Sequence, residues 1–262
     1  RLLVSIPEYD VALSHGCSSS THLSNILGKP SISITDNDGL TLDNRLYLSK
    51  VDYLLVPTHT NSHNFIKMGV NPDKIYTYSG FKENLYIADY EPDKDFLDNL
   101  PFNDYVLIRP EALSAEYVKN RKSLSNDLIK MFLEYDYNIL YLPRSKDNYI
   151  PEMALNREKV YIPPKPLNGL DLCYYSKGVL TGSGTFAREA ACMGIPSVSF
   201  FPHTLLGVDN YLVKKGSIFH SRNPKKIREH IENSEKREPD IDYSKRVKEE
   251  LQNLVESIVS KL

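Results

Sequence analysis

Short apolar runs alternate with longer helix-period segments along nearly the whole chain, and that alternation admits few folds. The strand-like runs are DVALSHG (10–16), PSISITD (30–36), DYLLVPT (52–58) and KIYTYSG (74–80). Helical patterns lie between them at 19–28, 42–50 and 61–69, with Gly28 placed as a C-cap. Residues 83–104 interrupt the rhythm. They are acidic, carry Pro92 and Pro101, and read as an interdomain connection. The rhythm then resumes. Strands are expected at 105–110, 138–144, 159–164, 178–183 and 196–201, and helices at 124–135, 169–177 and 184–194. Buried-type strands alternating with helices mark parallel sheets covered on both faces. The expected fold class is therefore α/β, with two Rossmann-like domains. Boundaries are expected at 1–88, 89–245 and 246–262, the last an amphipathic helix. In that helix Val247, Leu251, Leu254, Val255, Ile258, Val259 and Leu262 share one face.

Composition narrows the function. At 262 residues the chain buries a sizeable core without disulfides or metals. Lys and Arg number 32 against 34 Asp and Glu, a net charge of −2, which disfavours a nucleic-acid binder. No run approaches the ~18 apolar residues of a membrane span. Cys17, Cys173 and Cys192 are odd in number and far apart. That argues for a reducing, cytoplasmic setting and against a disulfide framework or zinc cluster. The opening segment lacks the parts of a signal peptide. The chain begins at Arg1 rather than Met, which reads as a start within a domain.

In an open parallel sheet, ligands bind beyond the carboxyl ends of the strands. Gly182-Ser183-Gly184-Thr185 sits there, between a strand and a helix. Glycines let a ligand approach the backbone, and a helix N-terminus offers amides and the positive end of its dipole. Phosphate is the natural guest; a tight turn with a Ser N-cap is the plain alternative. Gly182, Gly184 and Ala187 formally match a dinucleotide fingerprint. The next strand ends Phe200-Phe201-Pro202-His203, with no acid for the ribose, so a nicotinamide enzyme is disfavoured. Glu189, one turn into the helix, has two oxygens to accept vicinal ribose hydroxyls.

LTGSGTFAREAACMGIPSVSFFP resembles the donor-binding segment of nucleotide-sugar enzymes with the GT-B fold, and is similar to the non-hydrolysing UDP-N-acetylglucosamine 2-epimerases. The chain more closely resembles a mostly archaeal family related to them. That resemblance rests on Ser14-His15-Gly16, Arg109-Pro110-Glu111-Ala112, Leu142-Pro143-Arg144, and Gly184-Thr185 with Arg188-Glu189-Ala190-Ala191. It implies that Ser183, Gly184 and Thr185 hold a diphosphate and Glu189 a ribose. It also implies an acceptor side in domain 1–88, the nucleotide sugar on 89–245, a tail helix that returns to the first domain, and roughly two strand–helix units ahead of Pro7, so that the first domain is expected to be incomplete. Arg109 and Arg144 follow strands, and a guanidinium there can pair with a diphosphate.

The departures also count. The 2-epimerases carry three acids in the first domain. At those positions stand Cys17, then Asp36 within Thr35-Asp36-Asn37-Asp38, then Thr41-Leu42-Asp43 ahead of Asn44-Arg45. Epimerisation needs a base, an acid and their spacing. The expectation shifts to a glycosyltransferase with a UDP sugar as donor and an unknown acceptor, Asp36 and His15 being the candidate bases. A 2-epimerase-like isomerase and a catalytically silent nucleotide-sugar-binding protein are the alternatives. No cofactor or metal is expected, and a homodimer is compatible with the sequence. His59 and His63 lack the Glu of a zinc-protease motif, Cys17 lacks a nucleophile elbow, and the charged run 233–246 reads as a solvated connection.

Overall fold

A computed structural model describes residues 8–112, 123–144 and 158–262. Residues 1–7, 113–122 and 145–157 lie outside the described residues. The chain forms two compact units. One holds Arg1–Leu85, Leu206–Val208 and Ser244–Leu262, and the other Tyr86–Leu205 and Asp209–Tyr243.

The first unit carries β1 (Ala12–His15), α1 (Ser18–Leu27), β2 (Ser31–Ile34), α2 (Leu42–Leu48), β3 (Tyr53–Pro57), α3 (Ser62–Lys67) and β4 (Ile75–Tyr78). All four strands run parallel in the order β1-β2-β3-β4. Leu48, Leu54, Val56 and Phe65 form the centre of its core. Gly28 ends α1 at φ 64°, the left-handed C-cap its position foretold.

The segment expected as a connection is partly regular. It opens with α4 (Lys82–Ile87). Ile87, Phe96 and Leu100 are buried in the second unit's core. Pro92 and Pro101 obscured these apolar anchors, which lie too far apart to form a periodic run.

The second unit carries β5 (Val106–Arg109), α5 (Ser125–Glu134), β6 (Ile139–Tyr141), β7 (Val160–Tyr161), α6 (Gly169–Tyr174), β8 (Gly178–Thr181), α7 (Gly184–Cys192) and β9 (Ser197–Ser199). Three further elements were not anticipated: α8 (Gly207–Lys214, whose first two residues belong to the first unit), β10 (Phe219–His220) and α9 (Pro224–Glu232). β10 is too short to show a strand period, and α9 buries only Ile227 and Ile231. The sheet order is β10-β9-β8-β5-β6-β7, all parallel. The chain moves outward from β5 on one side through β6 and β7. It then crosses back to β8 and moves outward on the other. This is the doubly wound order, with its switch point between β5 and β8.

The tail forms α10 (Ile241–Val259), which from Ser244 onward belongs to the first unit. Gly80 makes this contact possible: at φ 72°, a Cβ there would lie 2.6 Å from Cγ2 of Val247. Asn84 Nδ2 donates to Ser244 Oγ at 3.0 Å, and the Ser79 amide donates to Glu250 at 3.1 Å. Of the seven aliphatic residues expected on one buried face, Val247, Leu251 and Ile258 are buried. Leu254 and Val255 are half-buried, while Val259 and Leu262 are exposed. Among the described residues no helix is long and apolar enough to cross a membrane.

Removing residues 246–262 therefore uncovers a core rather than trimming a tail. At roughly 1.5–3 kcal/mol per buried aliphatic side chain, three of them are comparable to a domain's whole stability. The truncated protein is expected to melt far below the full chain. Equal melting temperatures in a thermal scan would contradict this packing.

Candidate functional site

The switch point decides what meets what. β5 pairs with β8 so that Arg109 stands opposite Thr181. The Gly182 amide then donates to the Arg109 carbonyl at 3.0 Å, which fixes the turn beside the arginine. Gly182 and Ser183 lead into α7. Its first amides have no intrahelical acceptor, and its dipole turns a positive end to the same place.

The turn differs in detail from the sequence expectation. Ser183 occupies the N-cap position in an extended conformation, but its hydroxyl makes no capping bond. Its amide donates to Thr181 Oγ1 at 2.9 Å. Thr185 is half-buried on the first turn of α7. Gly182 is needed for packing: a Cβ there would sit 2.7 Å from the Cα of Glu111 and 2.8 Å from its nitrogen. Gly184 is crowded too, since its Cβ would meet Arg188 Nη1 at 2.9 Å.

Two buried ion pairs hold this scaffold. Glu111, only 1% exposed, accepts from Arg222 at 2.8 Å, from Ser123 Oγ at 2.7 Å and from the Leu124 amide at 3.3 Å. Arg188 Nη1 donates to Asp209 Oδ1 at 2.7 Å, also out of solvent. Glu111 and Arg188 were visible in the motifs only as members of a resemblance. Asp209 and Arg222 carried no sequence signal, because their partners lie 21 and 111 residues away.

Arg109 is half-buried, with its guanidinium carbon 5.1 Å from the centre of the Phe186 ring. Its Nε is buried and has no hydrogen-bond partner among the described residues. Burial pushes its pKa below the ordinary guanidinium value; the like charge of Arg144 pushes the same way, and Glu189 opposes both. Arginine stays protonated regardless. The result is a desolvated cation near a second cation, at a helix N-terminus.

Arg144 itself is exposed. Glu189 is half-buried, and one of its oxygens accepts from the Tyr86 hydroxyl at 2.8 Å. Tyr86 went unnoticed because it lies in the segment expected as a connection. Beside Arg109 opens a cleft of about 400 Å³, lined by Leu142, Pro143, Phe186 and the proline-rich stretch 163–167. Arg109, Arg144, Ser183, Gly184, Thr185 and Glu189 thus form one group on the second unit.

His15 and Asp36 form another group, on the first unit. His15 ends β1, opposite Ile34, and is exposed. Asp36 follows the end of the neighbouring strand β2, but it is largely buried and ion-paired with Lys82 Nζ at 2.8 Å. Lys82 in turn lies 3.8 Å from the fully buried Glu83. Cys17 and Asp43 are exposed. Asn44 is buried, and its Nδ2 donates to the Gly39 carbonyl at 2.8 Å. Among the described residues no three His, Cys, Asp or Glu side chains cluster to hold a metal.

Comparison with known proteins agrees with this architecture. Residues 2–261 match the family described as "Protein of unknown function (DUF354)". An uncharacterized protein of Methanocaldococcus jannaschii, MJ0665, is 28% identical over 218 residues. That match covers 79% of this chain but only 62% of the relative's own length. The structure of UDP-GlcNAc 2-epimerase from Methanocaldococcus jannaschii superposes with a TM-score of 0.67 at 17% identity, over 96% of this chain and 77% of that one. Anabaena Alr3699/HepE in complex with UDP superposes at 0.62 and 14% identity, over 100% and 81%. At these identities the likeness establishes the fold, α/β with parallel Rossmann-like sheets of the GT-B kind.

Because Gly182 is pressed against the Glu111 backbone, Gly182→Ala is expected to cost about 1–3 kcal/mol of stability by overpacking. Chemical denaturation checks this. A variant as stable as the parent would mean that residue 111 does not pack against the turn.

Proposed function

The chain belongs to the DUF354 family, and from that premise we propose that it binds a nucleotide-diphosphate sugar, a UDP sugar, and transfers the sugar to an acceptor. The observation that carries the binding half is Arg109: a half-buried guanidinium with an orphaned Nε, next to the N-terminus of α7. A diphosphate brings negative charge and acceptor oxygens to both. Ser183, Gly184 and Thr185 lie on the diphosphate, Glu189 takes the ribose hydroxyls, and Arg144 adds charge at the exposed rim. The apolar cleft bounded by Phe186 and residues 163–167 suits a flat base. Support for UDP comes from the structural neighbour crystallised with it.

Transfer places negative charge on the departing diphosphate. Arg109 and the helix terminus stabilise that charge where it develops. A base must take the proton of the acceptor hydroxyl, and Asp36 and His15 are the candidates on the first unit. Asp36 is already an ion-pair partner of Lys82, so its carboxylate is held in one place. One base suffices for transfer. Epimerisation needs a set of acids, and Cys17 at the first of the three matching positions leaves that set incomplete, which favours transfer over isomerisation. The chemistry needs neither a metal nor an organic cofactor.

UDP is expected to raise the melting temperature. At a hundredfold excess over Kd, ligand linkage contributes about 2.7 kcal/mol. Glu189→Ala is expected to weaken UDP binding about tenfold or more while leaving the unliganded melting point nearly unchanged. Calorimetric titration of both proteins tests this, and equal affinities would remove the ribose role. Incubation with a panel of UDP and GDP sugars and an acceptor mixture, followed by NMR, is expected to give free nucleotide and a glycosylated product. An isomerised sugar would replace transfer by epimerisation. Binding without turnover would reduce the proposal to a nucleotide-sugar-binding protein.

A further inference from the structure

We infer that Tyr86 is a specificity-determining positioning residue, which orients Glu189 toward the ribose of the nucleotide; this rests on the proposed nucleotide site. Ile87, the neighbour of Tyr86, and Ala190, the neighbour of Glu189, are both fully enclosed in one core cluster with Phe186. Packing at Ile87 and Ala190 sets the directions of the two side chains beside them, which meet at the rim at 2.8 Å, phenol to carboxylate. Tyr90, one turn on, anchors the same stretch through its hydroxyl on Asp171 at 2.7 Å. Both ends of the Tyr86–Glu189 contact are therefore fixed by buried structure, although Tyr86 itself is 39% exposed.

The chemistry of this pair bears on ribose recognition. A lone carboxylate on a helix surface samples several rotamers and discriminates poorly among hydroxyls. One phenolic donor on one oxygen removes that freedom before the ligand arrives, so less ordering is left for binding. A carboxylate has about four acceptor positions, enough to receive Tyr86 and ribose hydroxyls together. Charge-assisted hydrogen bonds of this kind are also the stronger ones. The side chain that selects ribose over deoxyribose is thus Glu189, and the one that sharpens the selection is Tyr86.

The test uses Tyr86→Phe, Glu189→Ala and the double variant, each titrated with UDP and with 2′,3′-dideoxy-UDP. Tyr86→Phe keeps the ring, so its melting temperature should match the parent. Its UDP affinity is expected to fall about three- to tenfold, the loss of one hydrogen bond to a carboxylate, with little change for the dideoxy nucleotide. In the Glu189→Ala background the same change should have no further effect. Unchanged UDP affinity in Tyr86→Phe, an equal loss for both nucleotides, or an additive loss in the double variant would each overturn the inference. Failure of the parent protein to bind either nucleotide is the separate outcome that overturns the proposed site, and this role with it.

Discussion

The pairing of β5 with β8 is the contact on which the rest of the second unit depends. These strands are far apart in sequence, and their register sets Arg109 opposite Thr181. One backbone hydrogen bond, from Gly182 to Arg109, then ties the arginine to the start of α7. The order β10-β9-β8-β5-β6-β7 places the break in winding at this pair. A concave, amide-lined place is the geometric consequence. Cation and helix dipole converge there because topology puts them there.

That convergence is costly, and the surrounding structure offsets it. Arg109 loses solvation and sits in the field of Arg144. The neighbouring buried charges are compensated instead: Glu111 by Arg222 and two further donors, Arg188 by Asp209. Breaking either pair would leave an uncompensated charge in the interior, which is far more harmful than never having had the pair. The contrast singles out Arg109. Its buried Nε has no hydrogen-bond partner among the described residues, whereas Glu111 and Arg188 have theirs.

The sequence disclosed most of the fold, because buried strands and capped helices leave local marks. Gly28 announced the end of α1, and the apolar face of α10 announced a packing helix. Less was legible where the decisive partner was distant. Gly182 looked like a ligand-facing glycine, yet Glu111 occupies the space a side chain would take. Asp36 read as a candidate base, and its ion pair with Lys82, 46 residues on, left no mark in the sequence. Tyr86 carried no mark at all. Its meaning comes from Ile87 and Ala190 sharing a core, a relation between residues roughly a hundred positions apart. Periodicity reports which face of an element is buried and is silent on which polar groups meet at its rim.

The central claim is that a nucleoside diphosphate lies at the β5–β8 switch point, and a crystal structure of the protein grown with UDP tests it most directly. The account predicts diphosphate density within hydrogen-bonding distance of the Arg109 guanidinium and the first amides of α7, with the ribose hydroxyls on Glu189. Density for UDP at another place on the molecule, or the same turn without ligand at saturating UDP, would contradict it.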